Sequence, residues 1–585
     1  MSTALGPRHR AESVAQMASE RFDILVVGGG VTGAGAALDA ATRGLSVALI
    51  EATDYAAGAS SKSSKLIHGG LRYLEMLDFA LVREALTERR LLLTRLAPHL
   101  VKPVPFLWPL THRGWERPYV GMGLLLYDTM GGRRAVPRAR HLGRTGALKL
   151  APALRPDALI GGVQFYDAQE DDARMVAVIA RTAAAHGAAL ATNVRMDGLI
   201  TSSGRVTGIR ASDLLAGTTM EIGARHVVLA TGAWTGRNEH PSDRTNADLR
   251  VRPSKGVHIV VPRHRIAMDT GLLTRTEKSV LFVIPWGNHW LIGDTDTEWP
   301  YDPSDPVASR ADIDYLLAKV NHMLRDPLTA ADIEGVFAGL RPLVAAGTGA
   351  DTTKLSREHT VRSPGPGRSV IAGGKYTTYR VMARDLIDVA ARDLGDLRGR
   401  PVPASRTDEV PLSGAEGYED LQETRNEVAE SAGLPVAQVE RLLGRYGSDL
   451  TGLLGLIASN PALKEPVPGA GPYLGAEIVY ACSHEGAVHL DDVLSRRTRV
   501  RIEVRDRGAQ AAPYAAELMA GELGWDAAKT ASEVTTYLDM IAVDLAAEEM
   551  PDDLSAFEAA SGPAGRAGLT GSRPESPPIT SIQAD

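Results

Sequence analysis

The feature that most constrains this chain is a glycine-rich turn between an apolar strand and a helix near its N-terminus. Residues 22–27 form a short apolar run that ends in GGGVTG, an example of the pattern G-x-G-x-x-G with glycines at Gly28, Gly30 and Gly33. Such a turn lets the backbone approach a pyrophosphate, which then lies on the N-terminus of the following helix. We therefore predict a dinucleotide-binding βαβ unit.

The residues after the turn complete this unit. Residues 34–43 are predicted to form the helix, and residues 45–50 a second strand that ends in Glu51. An acidic residue about 20 positions beyond the glycines binds the ribose hydroxyls in such units, so Glu51 favours an unphosphorylated adenosine ribose. The alternative is an ordinary glycine-rich turn, but strand, helix, second strand and acid all occur in the expected order.

Later segments are predicted to return to the same sheet. Residues 227–232 form an apolar strand that ends at Gly232, and residues 369–374 form another, followed by a helix over 377–391. One nucleotide-binding unit with two later strands suits FAD better than a pair of dinucleotides. Residues 251–299 are rich in β-branched and aromatic residues and predict an antiparallel sheet on the substrate side.

The predicted fold is an α/β FAD-binding domain of glutathione-reductase type with an antiparallel β cap domain and an α-helical C-terminal domain. We assign residues 21–100, 160–250 and 335–400 to a discontinuous FAD-binding domain, and residues 101–159 and 251–334 to the cap. Residues 401–550 are assigned to the helical domain, in which helices are predicted over residues 436–446, 475–482 and 534–545, and residues 1–20 are assigned to a polar leader. The tail at 551–585 is expected to be disordered because Gly, Ala, Ser and Pro dominate most of it.

Composition narrows the class of protein. The 585 residues carry 64 Lys plus Arg and 71 Asp plus Glu, a net charge of −7, which gives no global attraction to nucleic acid. The single cysteine, Cys482, cannot form an internal disulfide and favours a reducing compartment. The leader lacks the apolar run of a signal peptide, and no segment reaches the ~20 apolar residues that cross a bilayer, so a cytoplasmic location is expected.

One histidine pair superficially resembles a zinc-protease motif. His484 and His489 are five positions apart in HEGAVH, so on a helix they would lie about 140° apart rather than on one face. We therefore predict no metal site.

A longer series of motifs resembles the FAD-dependent, quinone-linked glycerol-3-phosphate dehydrogenases. In chain order the motifs are FDILVVGGGVTGAGAALDAATRG at 22–44, SSKSSKLIHGGLRYLE at 60–75, KGVHIVVP at 255–262, FVIPW at 282–286, GLRPL at 339–343, GGKYTTYR at 373–380 and HEGAVHLDDVLSRRTR at 484–499. They span nearly the whole chain except both tails. The resemblance implies oxidation of sn-glycerol 3-phosphate to dihydroxyacetone phosphate by hydride transfer to FAD, with the electrons passed to a membrane quinone.

The resemblance also implies a cationic substrate pocket. A phosphomonoester carries nearly two negative charges and needs several cations. The candidates in or beside the motifs are Arg72, Arg341, Arg357 and Lys375, with Tyr73 as a hydrogen-bonding partner of the substrate. The alternative for each cation alone is a solvated surface side chain.

Removal of the proton from the C2 hydroxyl requires a side chain that titrates near neutrality. His258, on the apolar strand over 257–261, is the candidate general base. The alternative is a hydrogen-bonded histidine of the core. Arg341 could instead stabilise the developing alkoxide and reduce the need for a base.

The flavin contacts follow from the same resemblance. The turn at Gly373 and Gly374, at the start of a helix, would present backbone N–H groups to the N1/O2 edge of the ring, and Thr377 and Thr378 could add hydrogen bonds. The serine cluster lies in the loop that wraps the FAD pyrophosphate and ring in the family; the alternative is a polar linker. The predicted cofactor-binding residues are Gly28, Gly30, Gly33, Glu51, Ser60, Ser61, Ser64, Gly232, Gly374, Lys375, Thr377 and Thr378.

The chain departs from the family pattern at a few positions near the pocket. Tyr376 replaces a commoner leucine, Glu358-His359 replaces Asp-Tyr, and Asp294 stands where a threonine is usual. These changes affect details of the pocket but leave the cations in place.

Three other functions stay open. A glycerol-3-phosphate oxidase shares the resemblance but passes electrons to oxygen, an RNA-modifying flavoprotein also begins with this glycine pattern, and a non-catalytic FAD-binding protein needs only the fold. The net charge and the lack of a catalytic cysteine motif argue against RNA modification. The oligomeric state is open, and a homodimer is compatible with the sequence.

A quinone acceptor is lipid-soluble, so we expect peripheral contact with the inner face of the plasma membrane. One candidate contact region combines aromatic, apolar and basic residues, and the other is the helix after Lys375. The residues concerned are Phe106, Leu107, Trp108, Arg113, Trp115, Arg117, Tyr119, residues 124–127, Arg133 and Arg134, and, in the second region, Arg380 and Arg384. The alternative for both regions is ordinary core and rim.

Overall fold

The computed structural model describes residues 4–70, 78–112, 114–130, 135–237, 249, 251–276, 280–304, 306–344, 358–399 and 401–562. Within these ranges the chain forms two mixed β-sheets and a helical C-terminal region. The strands are β1 (Arg21–Val27), β2 (Val47–Ile50), β3 (Leu66–Ile67), β4 (Lys102–Leu110), β5 (Arg140–Gly143), β6 (Gly161–Gln169), β7 (Ala189–Ala191), β8 (Val194–Ser202), β9 (Arg205–Asp213), β10 (Thr218–Leu229), β11 (Val251–Pro262), β12 (Gly271–Arg275), β13 (Val280–Trp286), β14 (His289–Gly293), β15 (Thr297–Glu298), β16 (Gly335–Val344), β17 (Thr360–Gly365) and β18 (Arg368–Ala372).

The helices surround these sheets and build the C-terminal region. They are α1 (Pro7–Ser19), α2 (Val31–Thr42), α3 (Phe79–Leu91), α4 (Glu116–Met130), α5 (Arg144–Leu150), α6 (Asp172–Ala185), α7 (Arg310–Asn321), α8 (Tyr379–Arg398), α9 (Tyr418–Glu423), α10 (Arg425–Ala432), α11 (Val436–Tyr446), α12 (Leu450–Ser459), α13 (Gly475–Glu485), α14 (Val500–Glu503), α15 (Ala512–Leu523), α16 (Ala527–Glu548) and α17 (Asp553–Ser561). Among the described residues, no helix combines the length and the apolarity that a bilayer crossing requires.

The first sheet is built around β1. Its strand order is β17-β18-β10-β1-β2-β7, and β9 extends from β10 to β8. The strands β2 and β10 both pair in parallel with β1, and β18 pairs in parallel with β10. Because α2 packs against α6 and α8 over one face, the apolar run in β1 is covered, as parallel strands require. The predicted βαβ unit and both later strand returns are confirmed.

The second sheet carries the substrate-side strands. Its order is β15-β11-β14-β13-β12-β4-β6-β3, with β16 paired to β11 and β5 paired to β6. The pair β12–β4 is parallel, whereas β11 pairs in antiparallel fashion with β14, β15 and β16. The antiparallel character predicted for residues 251–299 is therefore confirmed.

Three strands from the segments assigned to the FAD-binding domain lie in the second sheet. The strands β3, β6 and β16 were expected in the FAD-binding domain, within 21–100, 160–250 and 335–400. Instead β3 and β4 both pair with β6, and β16 pairs with β11 from Val251↔Val344 to Val260↔Gly335. The physical reason is that a strand joins the sheet where its backbone finds a long antiparallel partner, and hydrophobic periodicity does not identify that partner.

Both terminal segments contain helices within the described residues. The polar leader contains α1, in which Met17 is fully buried and Arg10 forms an ion pair with Asp213 at 2.8 Å. The expected disorder of 551–585 is wrong for its first part, because α17 packs its small residues Ala556 and Ala560 into the protein. Small side chains allow close backbone approach, so few large apolar groups are needed. Residues 563–585 lie outside the described ranges.

The helical C-terminal region follows the predicted pattern. The helix α11 has the predicted bounds, whereas α13 and α16 extend beyond the predicted ranges 475–482 and 534–545. Hydrophobic clusters from α11 to α16 form the core of this region.

Candidate functional site

The glycine turn forms a close-fitting cradle at the carboxyl end of β1. Gly28 has a φ of 113°, and a Cβ there would lie 2.5 Å from the carbonyl oxygen of Ala230 at the end of β10. A Cβ on Gly33 would lie 1.9 Å from the carbonyl oxygen of Gly28. The helix α2 begins at Val31, three residues earlier than predicted, so Gly33 belongs to its first turn. Gly232 follows β10 with a φ of 56°, at the same edge of the sheet.

Glu51 lies beside this cradle, as predicted. Its Oε2 accepts a hydrogen bond from the Gly29 amide at 2.6 Å, and its Oε1 accepts one from the Thr53 amide at 2.9 Å. Burial raises the pKa of the Glu51 carboxyl, and these amide donors oppose that shift. The cradle and the acidic side chain together fit the pyrophosphate and ribose of a dinucleotide cofactor.

The serine loop, residues 60–64, connects the cradle to the second sheet. The Ser60 hydroxyl accepts a hydrogen bond from the amide of Val31 at 3.0 Å and so lies at the N-terminus of α2. The Ser64 hydroxyl lies 2.9 Å from His258 Nε2. Ser61 is buried between these two positions. The loop therefore runs from the predicted pyrophosphate site to the predicted general base.

His258 is buried on β11 and stacks on the ring of Phe337 of β16, with centroids 4.9 Å apart and planes at 4°. Its Nδ1 has no hydrogen-bond partner among the described residues. Burial lowers the pKa of His258 to about 4, although the carboxylate of Asp294 opposes this shift. The expectation that His258 titrates near neutrality is therefore wrong, because the sequence does not reveal the extent of burial.

Arg341 occupies the same face of the paired strands β11 and β16. Side chains alternate between the faces of a strand, so Arg341 and Phe337 of β16 share the face of Gly256 and His258 of β11. A Cβ on Gly256 would lie 2.5 Å from Arg341 Nη2, and this glycine therefore makes room for the guanidinium.

The guanidinium of Arg341 already has carboxylate partners. Its Nη2 donates to the Asp294 carboxylate and, at 3.0 Å, to the carbonyl oxygen of Thr295. A second carboxylate, on Asp296, lies 3.7 Å from Nη1. The departure at Asp294 thus places a counter-ion on the predicted substrate cation, a contact that sequence reasoning did not anticipate.

The predicted flavin-side turn precedes α8. Gly373 and Gly374 have φ angles of 76° and 94°, which favour glycine, and the half-buried Lys375 follows them. The Thr377 hydroxyl accepts from the His68 amide at 3.2 Å and donates to the His68 carbonyl at 3.3 Å. A 3₁₀ turn over Tyr376–Thr378 delays the start of α8 to Tyr379, two residues later than predicted.

Some predicted positions are engaged elsewhere or are not described. The Thr378 hydroxyl donates to the Lys375 carbonyl at 3.4 Å. Arg72, Tyr73 and Arg357, the other predicted substrate residues, lie outside the described ranges.

Sequence reasoning missed a buried ionic cluster behind the serine loop. Lys65 Nζ lies 2.9 Å from Asp172 Oδ1, and both side chains are fully buried. Arg499, from the C-terminal region, joins them through Asp172. Lys65 and Arg499 both lie within the recognised motifs, which was the only signal in the sequence. The same motifs contain several other charged residues, so the sequence did not indicate which of them form the buried cluster.

The histidines of the zinc-like motif have separate surroundings. The helix α13 ends at Glu485, and Gly486 follows with a φ of 73°, so His489 lies beyond the helix. His484 stacks on Tyr480, whereas His489 Nδ1 lies 3.0 Å from Glu533. No group of three or more potential metal ligands occurs in the part of the chain that the structure describes.

The chain matches two protein-family models in succession. Residues 23–380 match the model described as FAD dependent oxidoreductase. Residues 405–530 match the model described as the C-terminal domain of alpha-glycerophosphate oxidase.

Full-length relatives give a consistent result. The chain is 51% identical over 555 residues to glycerol-3-phosphate dehydrogenase 2 of Mycobacterium tuberculosis, covering 95% of this chain and 94% of that protein. It is 36% identical over 553 residues to the mitochondrial glycerol-3-phosphate dehydrogenase of Homo sapiens, covering 91% of this chain and 74% of that protein.

Solved structures share the fold. The glycerol-3-phosphate dehydrogenase from Bacillus halodurans complexed with FAD aligns with a TM-score of 0.75 at 28% identity, covering 94% of this chain and 99% of that one. The L-alpha-glycerophosphate oxidase from Mycoplasma pneumoniae with FAD bound aligns with a TM-score of 0.52 at 19% identity, covering 63% of this chain and 95% of that one.

Proposed function

The chain belongs to the FAD-dependent glycerol-3-phosphate dehydrogenase family, and from this premise we propose that it oxidises sn-glycerol 3-phosphate at C2 to dihydroxyacetone phosphate. Its cofactor is FAD, which supplies the hydride acceptor for this reaction. The observation that carries the proposal is the placement of His258 and Arg341 on one face of β11 and β16, with the serine loop joining His258 to the nucleotide cradle.

His258 is the proposed general base. A pKa of about 4 leaves its imidazole neutral at pH 7 with a lone pair that can accept the proton of the C2 hydroxyl, although it is a weaker base than an imidazole that titrates near neutrality. If Nε2–H donates to Ser64, Nδ1 carries the lone pair that accepts the proton, and the substrate must approach this buried nitrogen. Ser64 would then hold both the tautomer and the orientation of the ring.

The cations have separate proposed tasks. Arg341 stabilises negative charge on the C2 oxygen as the proton leaves, while Arg72, Arg357 and Lys375 bind the phosphate and Tyr73 hydrogen-bonds the substrate. Binding of the anionic substrate would have to compete with Asp294 for Arg341, since the two residues form an ion pair.

The function is tested by adding sn-glycerol 3-phosphate to the purified holoprotein without oxygen. We expect the visible absorbance of the flavin to be bleached, and glycerol to bleach it far more slowly because it lacks the phosphate. Acid precipitation should release the flavin, as expected for a noncovalent cofactor. Absence of bleaching would indicate a non-catalytic FAD-binding protein, and equal rates with glycerol would contradict the cationic pocket.

His258→Ala should lower the rate of flavin reduction by about 10²–10⁴-fold, which is the usual contribution of a general base. Because burial lowers the pKa of His258 to about 4, activity in the wild type should fall only as the pH approaches 4. Stopped-flow measurement of kcat/KM against pH checks this, with His258→Gln as a neutral control of similar size. If the pH dependence of kcat/KM in either variant were the same as in the wild type, His258 would be a residue of the hydrophobic core and not the general base.

We further propose that the electrons pass to a membrane quinone and that α4 contacts the lipid surface. Trp115, Tyr119, Met122 and Leu126 are 55%, 44%, 68% and 38% exposed. Tyr119, Met122 and Leu126 are spaced by three and four residues along one face of α4, and Trp115 immediately precedes the helix and contacts the ring of Tyr119. Exposed apolar residues of this kind are suited to the interface between headgroups and acyl chains.

Other parts of the predicted membrane regions belong to the core. Residues Phe106, Leu107, Trp108, Leu124 and Tyr127 are buried, since β4 and the inner face of α4 pack into the protein. Arg113, Arg133 and Arg134 lie outside the described residues.

The polar residues of those regions also have partners. Arg117 donates to the Leu142 carbonyl at 2.9 Å, and Arg384 pairs with the neighbouring Asp385. Arg380 forms a buried bidentate pair with Glu88 at 2.6 and 2.8 Å, which excludes the predicted lipid contact for that side chain.

Tyr119→Glu/Met122→Glu should abolish co-flotation with liposomes while flavin bleaching is retained, because charges on the exposed face oppose insertion. Liposome flotation with a quinone in the bilayer is the measurement. The matched control is Leu538→Glu/Leu545→Glu, which changes exposed apolar residues on α16. Wild-type protein that does not float and reduces oxygen rapidly would favour the oxidase. Loss of a dimer in the variant would assign the face to a second copy of the chain.

A further inference from the structure

On the basis of the proposed function, we infer that Arg499, in the helical C-terminal region, is a positioning residue for the active site. Its guanidinium holds the serine loop, and the loop in turn holds His258. The C-terminal region thereby contributes to the contacts that orient the general base.

Arg499 is 2% exposed and reaches across from the C-terminal region to the serine loop. Its Nε and Nη2 donate to Asp171 Oδ1 at 3.0 and 2.6 Å, and Nη2 also pairs with Asp172. Its Nη1 donates to the carbonyl oxygens of Ser61 at 3.3 Å and Ser495 at 3.2 Å. The planar fork of an arginine can make these contacts together, whereas a lysine ammonium cannot.

Asp172 passes this constraint to the serine loop. Its Oδ2 accepts from the amide and the hydroxyl of Ser63 at 2.9 and 2.7 Å, and its Oδ1 accepts from Lys65 Nζ at 2.9 Å. Lys65 Nζ also donates to the carbonyl oxygen of Ser61 at 3.1 Å. The loop is therefore held at both ends by buried charged groups.

The backbone at Lys65 shows why the loop needs this support. Lys65 has a φ of 57°, in the left-handed region that residues with side chains rarely occupy. Such a conformation persists only when surrounding contacts impose it. The ion pair with Asp172 supplies those contacts.

Two contacts connect the loop to the general base. Ser64, between Ser63 and Lys65, places its hydroxyl 2.9 Å from His258 Nε2. Lys65 Nζ lies 4.9 Å from the centroid of the Phe337 ring, on which His258 stacks. A shift of the loop would therefore move both the hydrogen-bond partner and the stacking partner of His258.

The same C-terminal segment also contacts the loop after β2, near the predicted ribose site. Arg497 forms a bidentate pair with Asp54 at 2.6 and 2.7 Å, and Arg496 Nε reaches Asp54 at 2.6 Å. Asp54 follows Glu51 in the loop after β2. Residues 496–499 thus contact both the loop after β2 and the serine loop.

The first experiment compares Arg499→Lys with Arg501→Lys in the holoenzyme. Arg501 is a neighbouring control, since it is half-buried and pairs with Asp491 at 2.8 Å and Asp544 at 2.6 Å but forms no hydrogen bond or ion pair with residues 60–64, all of which the structure describes. We expect Arg499→Lys to lower kcat for flavin reduction by about 10–100-fold, the scale of a small misplacement of reacting groups. KM should stay nearly unchanged because the phosphate cations are intact.

Hydrogen–deuterium exchange supplies a readout that does not depend on turnover. Protection of the peptide covering residues 60–67 should fall in Arg499→Lys and stay at the wild-type level in Arg501→Lys. If Arg499→Lys does not fold, Asp172→Asn breaks the same link with little change in volume and should give the same pattern.

A double-mutant cycle tests the route through Ser64. The effect of Arg499→Lys on kcat should be much smaller in a Ser64→Ala background, because the connection to His258 is already broken. Equal losses in the Arg499 and Arg501 variants, or additive effects in the cycle, would overturn the inference. Failure of sn-glycerol 3-phosphate to bleach the wild-type flavin would instead refute the proposed function, while the exchange comparison would still report on the loop.

Discussion

Replacement of Arg341 by alanine is expected to lower kcat/KM for sn-glycerol 3-phosphate by about 10²–10³-fold while FAD stays bound, because one preorganised donor to a developing oxyanion is worth that much. Arg341 lies on β16 on the same face as His258, whereas the glycine turn that forms the nucleotide cradle follows β1 in the first sheet. Steady-state turnover and the flavin content of the purified variant are the two measurements.

The ion pair with Asp294 requires a specific control. In Arg341→Ala the Asp294 carboxylate loses its partner and would repel an anionic substrate, so part of the loss could come from that charge. The double variant Arg341→Ala/Asp294→Asn removes the repulsion, and we expect it to remain strongly impaired. Recovery to near wild-type turnover in the double variant would exclude a direct role for the guanidinium.

Replacement of Gly33 by alanine should yield protein that is largely free of FAD. The added Cβ would lie 1.9 Å from the carbonyl oxygen of Gly28, so the turn must open at the point where the pyrophosphate binds. Overpacking of this kind also lowers the free energy of unfolding by about 1–3 kcal/mol. The ratio of flavin to protein absorbance and thermal unfolding of the apoprotein measure the two effects.

Gly444→Ala provides the matched control for that substitution. Gly444 lies within α11, and a Cβ there would meet no atom within 4 Å. Alanine is the better helix former by about 0.5–1 kcal/mol, so this variant should keep its flavin and unfold at an equal or higher temperature. Full flavin content in Gly33→Ala would contradict the proposed location of the pyrophosphate.

Local patterns predicted much of the fold because their causes are local. The βαβ unit depends on a short apolar strand, a glycine turn and a helix that are contiguous in the chain, and the parallel pairing of β1 with β2 follows. The bounds of α11 were predicted for a similar reason, since its apolar periodicity lies within one element. The pairing of β16 with β11 joins distant segments and was not predicted.

In the two predicted membrane regions, solvent exposure decides which residues can contact lipid, and the sequence does not reveal it. The exposed residues Trp115 and Tyr119 and the buried residues Phe106 and Trp108 are all large and aromatic, and sequence composition treats them alike. The tertiary structure assigns Phe106 and Trp108 to the core, because β4 pairs with β6 and β12 and the two rings pack in a hydrophobic cluster with residues such as Phe165. The same limitation explains why disorder was predicted for α17, whose small residues Ala556 and Ala560 are buried.

The sequence by itself determined the βαβ unit with its glycine cradle and Glu51, because residue type and spacing suffice for a contiguous motif. The tertiary structure decided the rest of the site. His258 is buried in the folded protein, which lowers the pKa of its imidazole to about 4, and Asp294 forms an ion pair with Arg341. It also brought Arg499 to Asp172, since the energy of burial and of ionic contact depends on neighbours that are distant in the chain.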